Sequence, residues 1–194
     1  MLLCFWSGAM AAGARTMTDF FVDMPDSLMP MLSQNARKDL IDFYQSGMKP
    51  LLPNEWSANS QLTKVSDDLV ELSEDSHAAV STTMTLLSLR GRDTIICMVR
   101  TINCPQPDSE IFFYTTDWKP LARQQYIALP TAKATRQVTE GSLVDYVSMS
   151  LSRTGARVAL DVTIDAADGV VDASADKKQA FRYEWNGSKF TPLP

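Results

Sequence analysis

The chain has 194 residues, of which 45% are hydrophobic and 21% are charged, and its formal net charge is −5. This length and apolar content suffice for one domain with a buried core. No run of basic residues is longer than Arg37-Lys38 or Lys177-Lys178. We therefore expect no nucleic-acid partner, because phosphate binding requires a dense basic face.

The first fourteen residues carry no charge and end in the small residues Ala12-Gly13-Ala14. This pattern is typical of a secretory signal peptide cleaved before Arg15, although no basic residue precedes the apolar run. A buried N-terminal helix is the alternative. No stretch approaches the about 20 apolar residues of a transmembrane helix. We expect residues 1–14 to be a signal peptide, residues 15–194 to be a single domain, and the protein to be exported to the periplasm or cell envelope.

An amphipathic helix is predicted over residues 35–47, where apolar side chains recur three and four apart: Ala36, Leu40, Phe43 and Tyr44. Ser33 or Asn35 is expected to cap its start, and Gly47 to end it. Thr18 is the predicted cap of a short helical turn upstream.

The apolar side chains of the helical region predict a lid on one face of a sheet, because a free peptide would not keep so much apolar surface in water. They are Phe20, Phe21, Leu28, Met31, Leu32, Leu40, Ile41, Phe43 and Tyr44. The alternative is a contact surface of adaptable methionines, formed by Met24, Met29, Met31 and Met48.

After residue 61 the pattern changes to β-prone runs: LVELS, AAVSTTMTLLSLRG, DTIICMVRTINC, EIFFYTTDW, LVDYVSMSLSRTG, ARVALDVTIDA and QAFRYEWNGSKFTPL. Hairpin turns are predicted at residues 88–93 and at Asn186-Gly187, the second as a type I′ turn with two positive φ values. Acidic residues around LVELS are expected to mark a solvent-exposed face: Asp67, Asp68, Glu71, Glu74 and Asp75.

The predicted fold class is α+β, with N-terminal helices packed on antiparallel β-sheet. The predicted divisions are a helical segment at 15–60, a first β-meander at 61–121, a connector at 122–140 and a second β-meander at 141–194. The strings TMTLLSLRGRDTIICMVRTIN and YVSMSLSRTGARVALDVTID match in strand, turn, strand order. The two meanders are therefore either an internal duplication or two independent meanders that look alike.

Motifs for common chemistries are missing from the sequence. His77 is the only histidine, so a conventional zinc site and a Ser-His-Asp triad lack residues, and no phosphate-binding glycine loop occurs. The acidic stretch DAADGVVDASAD misses the calcium-loop register. Cys97 and Cys104 are either two separate thiols or a disulfide that requires the chain to turn back. We predict no catalytic residue, no metal site and no cofactor.

Four strings resemble an uncharacterised family of exported Bacteroidales proteins, the domain of unknown function family 3256. They are FVDMPDSLMPMLSQNARKDLIDFYQSGMK, SDDLVEL, IICMVRTI and FYTTDWKPL, in the same order and at similar spacing. The resemblance covers most of the chain up to about Leu121 and is weaker beyond it. It implies a cell-envelope or periplasmic setting and a stand-alone domain behind a signal peptide, and it supplies no reaction, ligand or catalytic residue.

These observations favour a non-enzymatic module that binds an envelope protein, a peptide or a glycan. Candidate contacts are aromatic residues near turns that we expect to be exposed, since rigid amphipathic rings bind at low entropic cost: Trp56, Trp118, Tyr126 and Trp185. For Trp118 and Trp185 the alternative is a place in the hairpin cores. Two other functions stay open: a carboxylate-based hydrolase acting on glycan or cell-wall material, and a structural or assembly factor of the envelope. The sequence does not indicate an oligomeric state.

Overall fold

The computed structural model describes residues 14–55, 57–75, 79–91, 93–103, 106–129, 146–165 and 178–194. Several predictions fall outside these residues: the signal peptide apart from Ala14, Trp56, His77, the pairing of Cys104, most of the connector, and most of the acidic stretch after Asp165. Among the described residues, no helix is both long enough and apolar enough to cross a membrane.

The helical layer consists of α1 (Met17–Asp23), a 3-10 turn (Asp26–Leu28) and α2 (Gln34–Gln45). Thr16, not the predicted Thr18, caps α1, and it forms a reciprocal capping box with Asp19. Ser33 caps α2 as one of the two predicted candidates. Gly47 follows α2 with a φ of 73°, the left-handed conformation expected at a helix end.

Two antiparallel sheets contain all the strands of the described residues. The first sheet follows chain order: β1 (Leu51–Pro53), β2 (Asn59–Ser66), β3 (Leu69–Asp75), β4 (Val80–Ser88), β5 (Thr94–Ile102), β6 (Asp108–Thr115) and β7 (Pro120–Leu121). The second sheet has the order β11-β10-β9-β8: β8 (Tyr146–Thr154), β9 (Arg157–Asp165), β10 (Lys178–Trp185) and β11 (Phe190–Pro192). A second 3-10 turn, Arg123–Gln125, follows β7.

Strands β4, β5 and β6 of the first sheet are covered on both faces, because they carry apolar side chains in both phases. Strands β2 and β3 bury mainly the face towards the helices. Against one face lies the helical layer, whose buried residues include Phe21, Met24, Leu32 and Leu40, packed with strand residues such as Met84. The predicted lid is therefore confirmed for Phe20, Phe21, Leu28, Met31, Leu32, Leu40 and Ile41. Its last member is wrong, since Tyr44 is exposed. Against the other face lies the second sheet, and this second core contains Leu87, Cys97, Val99, Ile111, Phe113, Met149, Leu160, Val162, Tyr183 and Phe190.

Polar contacts join the two sheets at several places, of which two are at the strand ends. Arg153 of β8 forms an ion pair with Asp68 at 3.0 Å and donates to the Leu86 carbonyl at 2.6 Å. The tip of the β4–β5 hairpin meets the β10–β11 turn, where the backbone N–H of Arg90 donates to the Gly187 carbonyl at 2.8 Å. These contacts fix the second sheet against the first.

The expectation of α-helices packed on antiparallel sheet is confirmed, and the structure corrects three details. Strand structure begins earlier than predicted, because β1 and the start of β2 lie within residues 15–60. The hairpin at Asn186-Gly187 is present, but only Gly187 has a positive φ, so the type I′ assignment is wrong. Glu74 is buried, so it does not belong to an exposed face. The internal duplication stays a prediction.

Candidate functional site

A groove of about 290 Å³ lies between α1 and α2. It is lined from α1 by Thr18, Asp19, Val22 and Asp23, and from α2 by Lys38, Ile41, Asp42 and Gln45. Val22 and Ile41 also pack on the core below, so they form an apolar floor. The rim is polar and carries three carboxylates and one ammonium group.

Helical periodicity explains why this groove is amphipathic. In α1 the side chains of Met17, Phe20 and Phe21 are buried in the core. The groove residues of α2 occupy positions 38, 41, 42 and 45, three and four apart, which places them along one side of the helix. The groove therefore runs beside the buried faces of the two helices.

Arg37 holds the two helices in this arrangement from inside the protein. Its side chain is fully buried, and its guanidinium donates to the carbonyl oxygens of Val22 at 3.2 Å, Met24 and Leu32. It also pairs with Asp26 Oδ1 at 3.0 Å. Burial lowers the pKa of Arg37, and its pair with Asp26 opposes that shift. Because one side chain ties the end of α1 to the start of α2, the groove is preformed.

The groove attracts positive charge. The backbone N–H and the hydroxyl of Thr16 donate to Asp19 at 2.7 and 2.8 Å, and they hold the pKa of Asp19 below its ordinary value. Asp23 forms an ion pair with Arg15, whose guanidinium lies 4.3 Å from the centroid of the Phe20 ring. One basic side chain of the chain itself is thus already held at the rim.

The groove is poorly equipped for carboxylate catalysis. A hydrolase of this kind needs a carboxyl with a raised pKa beside an ionised one. In the groove the pKa of Asp19 is lowered, whereas Glu74, the one described carboxyl with a raised pKa, lies buried in β3. Within the described part of the chain, no group of three or more Asp, Glu, His and Cys residues is arranged to hold a metal ion.

The structure separates the predicted aromatic contact residues. Trp118 is only 7% exposed and belongs to the first core, so its predicted exposed position is wrong and the hairpin-core alternative is confirmed. Tyr126 and Trp185 are half-buried at the edge of the second core. The Trp185 Nε1–H donates to the Ser88 carbonyl at 2.9 Å. A binding role for Tyr126 and Trp185 stays a prediction.

Trp118 links the β6–β7 turn to the helical layer. Its backbone has a φ of 60°, which is unusual for a bulky residue, and its N–H donates to the Thr115 carbonyl at 2.9 Å. This conformation directs the indole to the Phe20 carbonyl, to which Nε1–H donates at 3.1 Å. The ring also packs against Tyr114, with 5.4 Å between centroids. The role of Trp118 is therefore to anchor α1.

The alternative methionine surface is wrong for three of its four members. Met24, Met29 and Met31 are buried in the core between helices and sheet. Met48 is 54% exposed. Sequence reasoning missed the groove, although the spacing of its α2 residues was a usable signal. It also missed Glu74, which occupies the same alternating phase as the buried residues Val70 and Leu72.

Comparison with known proteins identifies a family and a fold. A family model described as "Protein of unknown function (DUF3256)" matches residues 9–190. The chain is similar to a solved structure titled "Structure of a domain of an uncharacterized protein from Porphyromonas gingivalis W83", with 21% identity and a TM-score of 0.71. That alignment covers 91% of this chain and 98% of the other, and at this identity it shows the fold alone. Comparison with curated proteins gives no match.

Proposed function

Because the chain belongs to the DUF3256 family, whose description assigns no activity, we propose a function from the groove: the protein is a non-enzymatic module that binds a protein or peptide presenting a basic side chain. The observation that carries this proposal is the acidic rim around an apolar floor. Such a site accepts the methylene stem of lysine or arginine on Val22 and Ile41 while its charged end meets carboxylates.

The size and charge of the groove support a peptide ligand. A volume of about 290 Å³ is at the lower end for ligand pockets, so the groove suits one side chain and its flanking backbone. The backbone carbonyl of Asp42 accepts from Ser46. Its carboxylate makes no hydrogen bond or ion pair with any described residue, so it is available to a partner. Arg15 at Asp23 provides an internal example of the same recognition.

The sheet edges are less suitable for binding by strand addition. Three edge strands, β1, β7 and β11, have two or three residues, and each contains a proline, which cannot donate to a ladder. The fourth edge, β8, is covered: the N–H groups of Val147 and Met149 donate to the side chains of Asp108 and Ser109 at 3.2 and 2.9 Å. This favours the groove as the contact surface.

We also propose that the protein acts after export, in the periplasm or cell envelope. The support is the uncharged, small-residue pattern of residues 1–14. Mass spectrometry of the protein purified from its native organism would test this. A mature N-terminus at Arg15 is expected, and a retained Met1 would refute the export proposal without affecting the groove.

Peptide binding tests the main proposal. The probe is a fluorescein-labelled heptapeptide with a central arginine between leucines, measured by fluorescence anisotropy at low salt against the same peptide with a central glutamate. We expect the arginine peptide to bind more tightly. Asp42→Asn should weaken binding by about two- to fivefold, the size of one exposed ion pair, and Asp42→Lys should weaken it further.

The matched control is Asp39→Asn, on the same helix but outside the groove. It should leave the affinity unchanged. Equal binding of both peptides, or equal loss in Asp39→Asn and Asp42→Asn, would refute recognition of a basic side chain in this groove.

A further inference from the structure

Glu74 of β3 is 2% exposed, and neither of its carboxyl oxygens has a hydrogen-bond partner among the described residues. It lies on the helix-facing side of the first sheet, in the same phase as Val70 and Leu72. A buried carboxylate without partners is very unfavourable when ionised, so such groups neutralise or acquire a partner. The position therefore requires an explanation beyond packing.

Two further incompletely bonded side chains lie on this face, one and two strands away from Glu74. Thr82 pairs with Leu72 across β3 and β4, and Arg100 pairs with Thr82 across β4 and β5. Among the described residues, the hydroxyl of Thr82 and the Nε of Arg100 also lack partners. Three adjacent strands thus carry a carboxyl, a hydroxyl and a guanidinium on one face.

Arg100 connects this cluster to the helical layer. Its Nη2 donates to the Leu28 carbonyl at 2.9 Å, at the end of the 3-10 turn. The turn lies in residues 24–32, between α1 and α2, which we call the 24–32 segment. Arg100 therefore holds the Leu28 carbonyl and, without a hydrogen bond to the Glu74 carboxyl, is close enough to influence its charge.

We propose that Glu74 and Arg100 form a proton-controlled latch that holds the 24–32 segment on the sheet. With Glu74 protonated, the guanidinium stays on the Leu28 carbonyl and the segment is closed. When Glu74 loses its proton, its carboxylate competes for the guanidinium, the Leu28 carbonyl loses its donor, and the segment opens to hydrate the new charge. The segment also carries Asp26 and the Met24 and Leu32 carbonyls that Arg37 holds, so its opening would loosen the clamp behind the peptide groove as well.

The surrounding charges are consistent with this arrangement. Burial raises the pKa of Glu74, and the nearby Arg100 opposes that shift. Glu110 of β6 pairs across the ladder with Arg100 and is exposed. In the segment, Asp26 is held by Arg37. The other carboxylates of β3, Glu71 and Asp75, occupy the opposite phase.

The sign of the pH effect follows from linkage. Because the pKa of Glu74 is raised in the closed state, closure is most stable below the ordinary glutamate pKa and loses stability as pH rises towards the raised value. If Glu74 ionises only in the open state, the opening equilibrium rises by about tenfold per pH unit in this window.

Hydrogen exchange of the full chain between pH 5 and 8 tests the latch. After correction for intrinsic exchange rates, amides of the 24–32 segment should lose protection with rising pH in the native protein. In Glu74→Gln, which has the same shape but no titrating group, protection should stay constant. The matched control, Asp75→Asn, removes the exposed carboxyl next to Glu74 that occupies the opposite phase of β3, and it should behave like the native protein.

Two outcomes would overturn the proposal. One is the same pH dependence in the native protein and Glu74→Gln. The other is an equal loss of protection in β9, which would mean that Glu74 titrates with global unfolding and not with the segment. A carbon-detected NMR titration of the Glu74 carboxyl gives a second readout, and an ordinary pKa there would also contradict the latch.

Discussion

Replacement of Arg37 by methionine should destabilise the protein strongly, because the guanidinium is the donor for several backbone carbonyls. Methionine has a similar length and is apolar, so the variant keeps most of the packing and removes the donors. The contacts with Leu32 and Met24 are buried, whereas the contact with Val22 is part-buried and the side chain of Asp26 is 63% exposed.

The expected loss follows from these contacts. A buried acceptor that loses its donor costs about 1–3 kcal/mol, and two such carbonyls give about 2–6 kcal/mol in the free energy of unfolding. The Val22 carbonyl and Asp26 add little, since water can replace the lost bond. This loss is a large fraction of the about 5–15 kcal/mol that stabilises a typical domain.

Urea denaturation followed by circular dichroism measures this loss. The free energy of unfolding of Arg37→Lys should lie between the values of the native protein and Arg37→Met. The ammonium group is a compact charge, so it does not reach all the acceptors that the planar guanidinium reaches. It also provides a measurable variant if Arg37→Met does not fold. The control Lys38→Met, an exposed neighbour on the same helix, should stay within about 0.5 kcal/mol. A cost below about 1 kcal/mol for Arg37→Met would refute the assignment of Arg37 as the clamp between the helices.

Two further expectations concern the junction and the core. Measured by urea denaturation, Gly187→Ala should destabilise the protein more than Gly155→Ala. Both positions have a positive φ, so the backbone cost is shared. A Cβ at 187, however, meets Arg90 Cγ at 3.2 Å, whereas a Cβ at 155 enters open space. Equal costs would contradict a tight contact between the hairpin tips. Burial raises the pKa of the Cys97 thiol, so in a variant without the other two cysteines Cys97 should react with a thiol reagent at pH 8 only on unfolding. Rapid reaction of the folded protein would show that the second core is open.

Local sequence signals predicted the elements that depend on local physics. The helix ending before Gly47 and the hairpin at Asn186-Gly187 both follow from the residues that each turn requires. The short edge strand β1 was missed, since its two leucines before a proline give no alternating pattern. Trp118 was assigned to the surface as well as to the core, because a turn position normally faces solvent and its left-handed backbone is not visible in sequence.

The buried charged residues show what the sequence does not predict, which is the bonding partner of each buried group. Arg37 occupies the same helical phase as Leu40 and Ile41, and Glu74 the same strand phase as Leu72, so each is a charged residue at a core position. That signal predicts burial, but the partner of each group comes from another element. Arg37 finds carbonyls 5 to 15 residues away, and Arg100 reaches a carbonyl 72 residues away. Among the described residues, the fold gives partners to the terminal nitrogens of Arg37, though not to its Nε, and gives none to the carboxyl of Glu74, although the two look alike in sequence. A satisfied buried charge is explained by architecture, whereas an unsatisfied one is the kind of local conflict that proteins keep at functional sites. This difference makes Glu74 the residue to examine first.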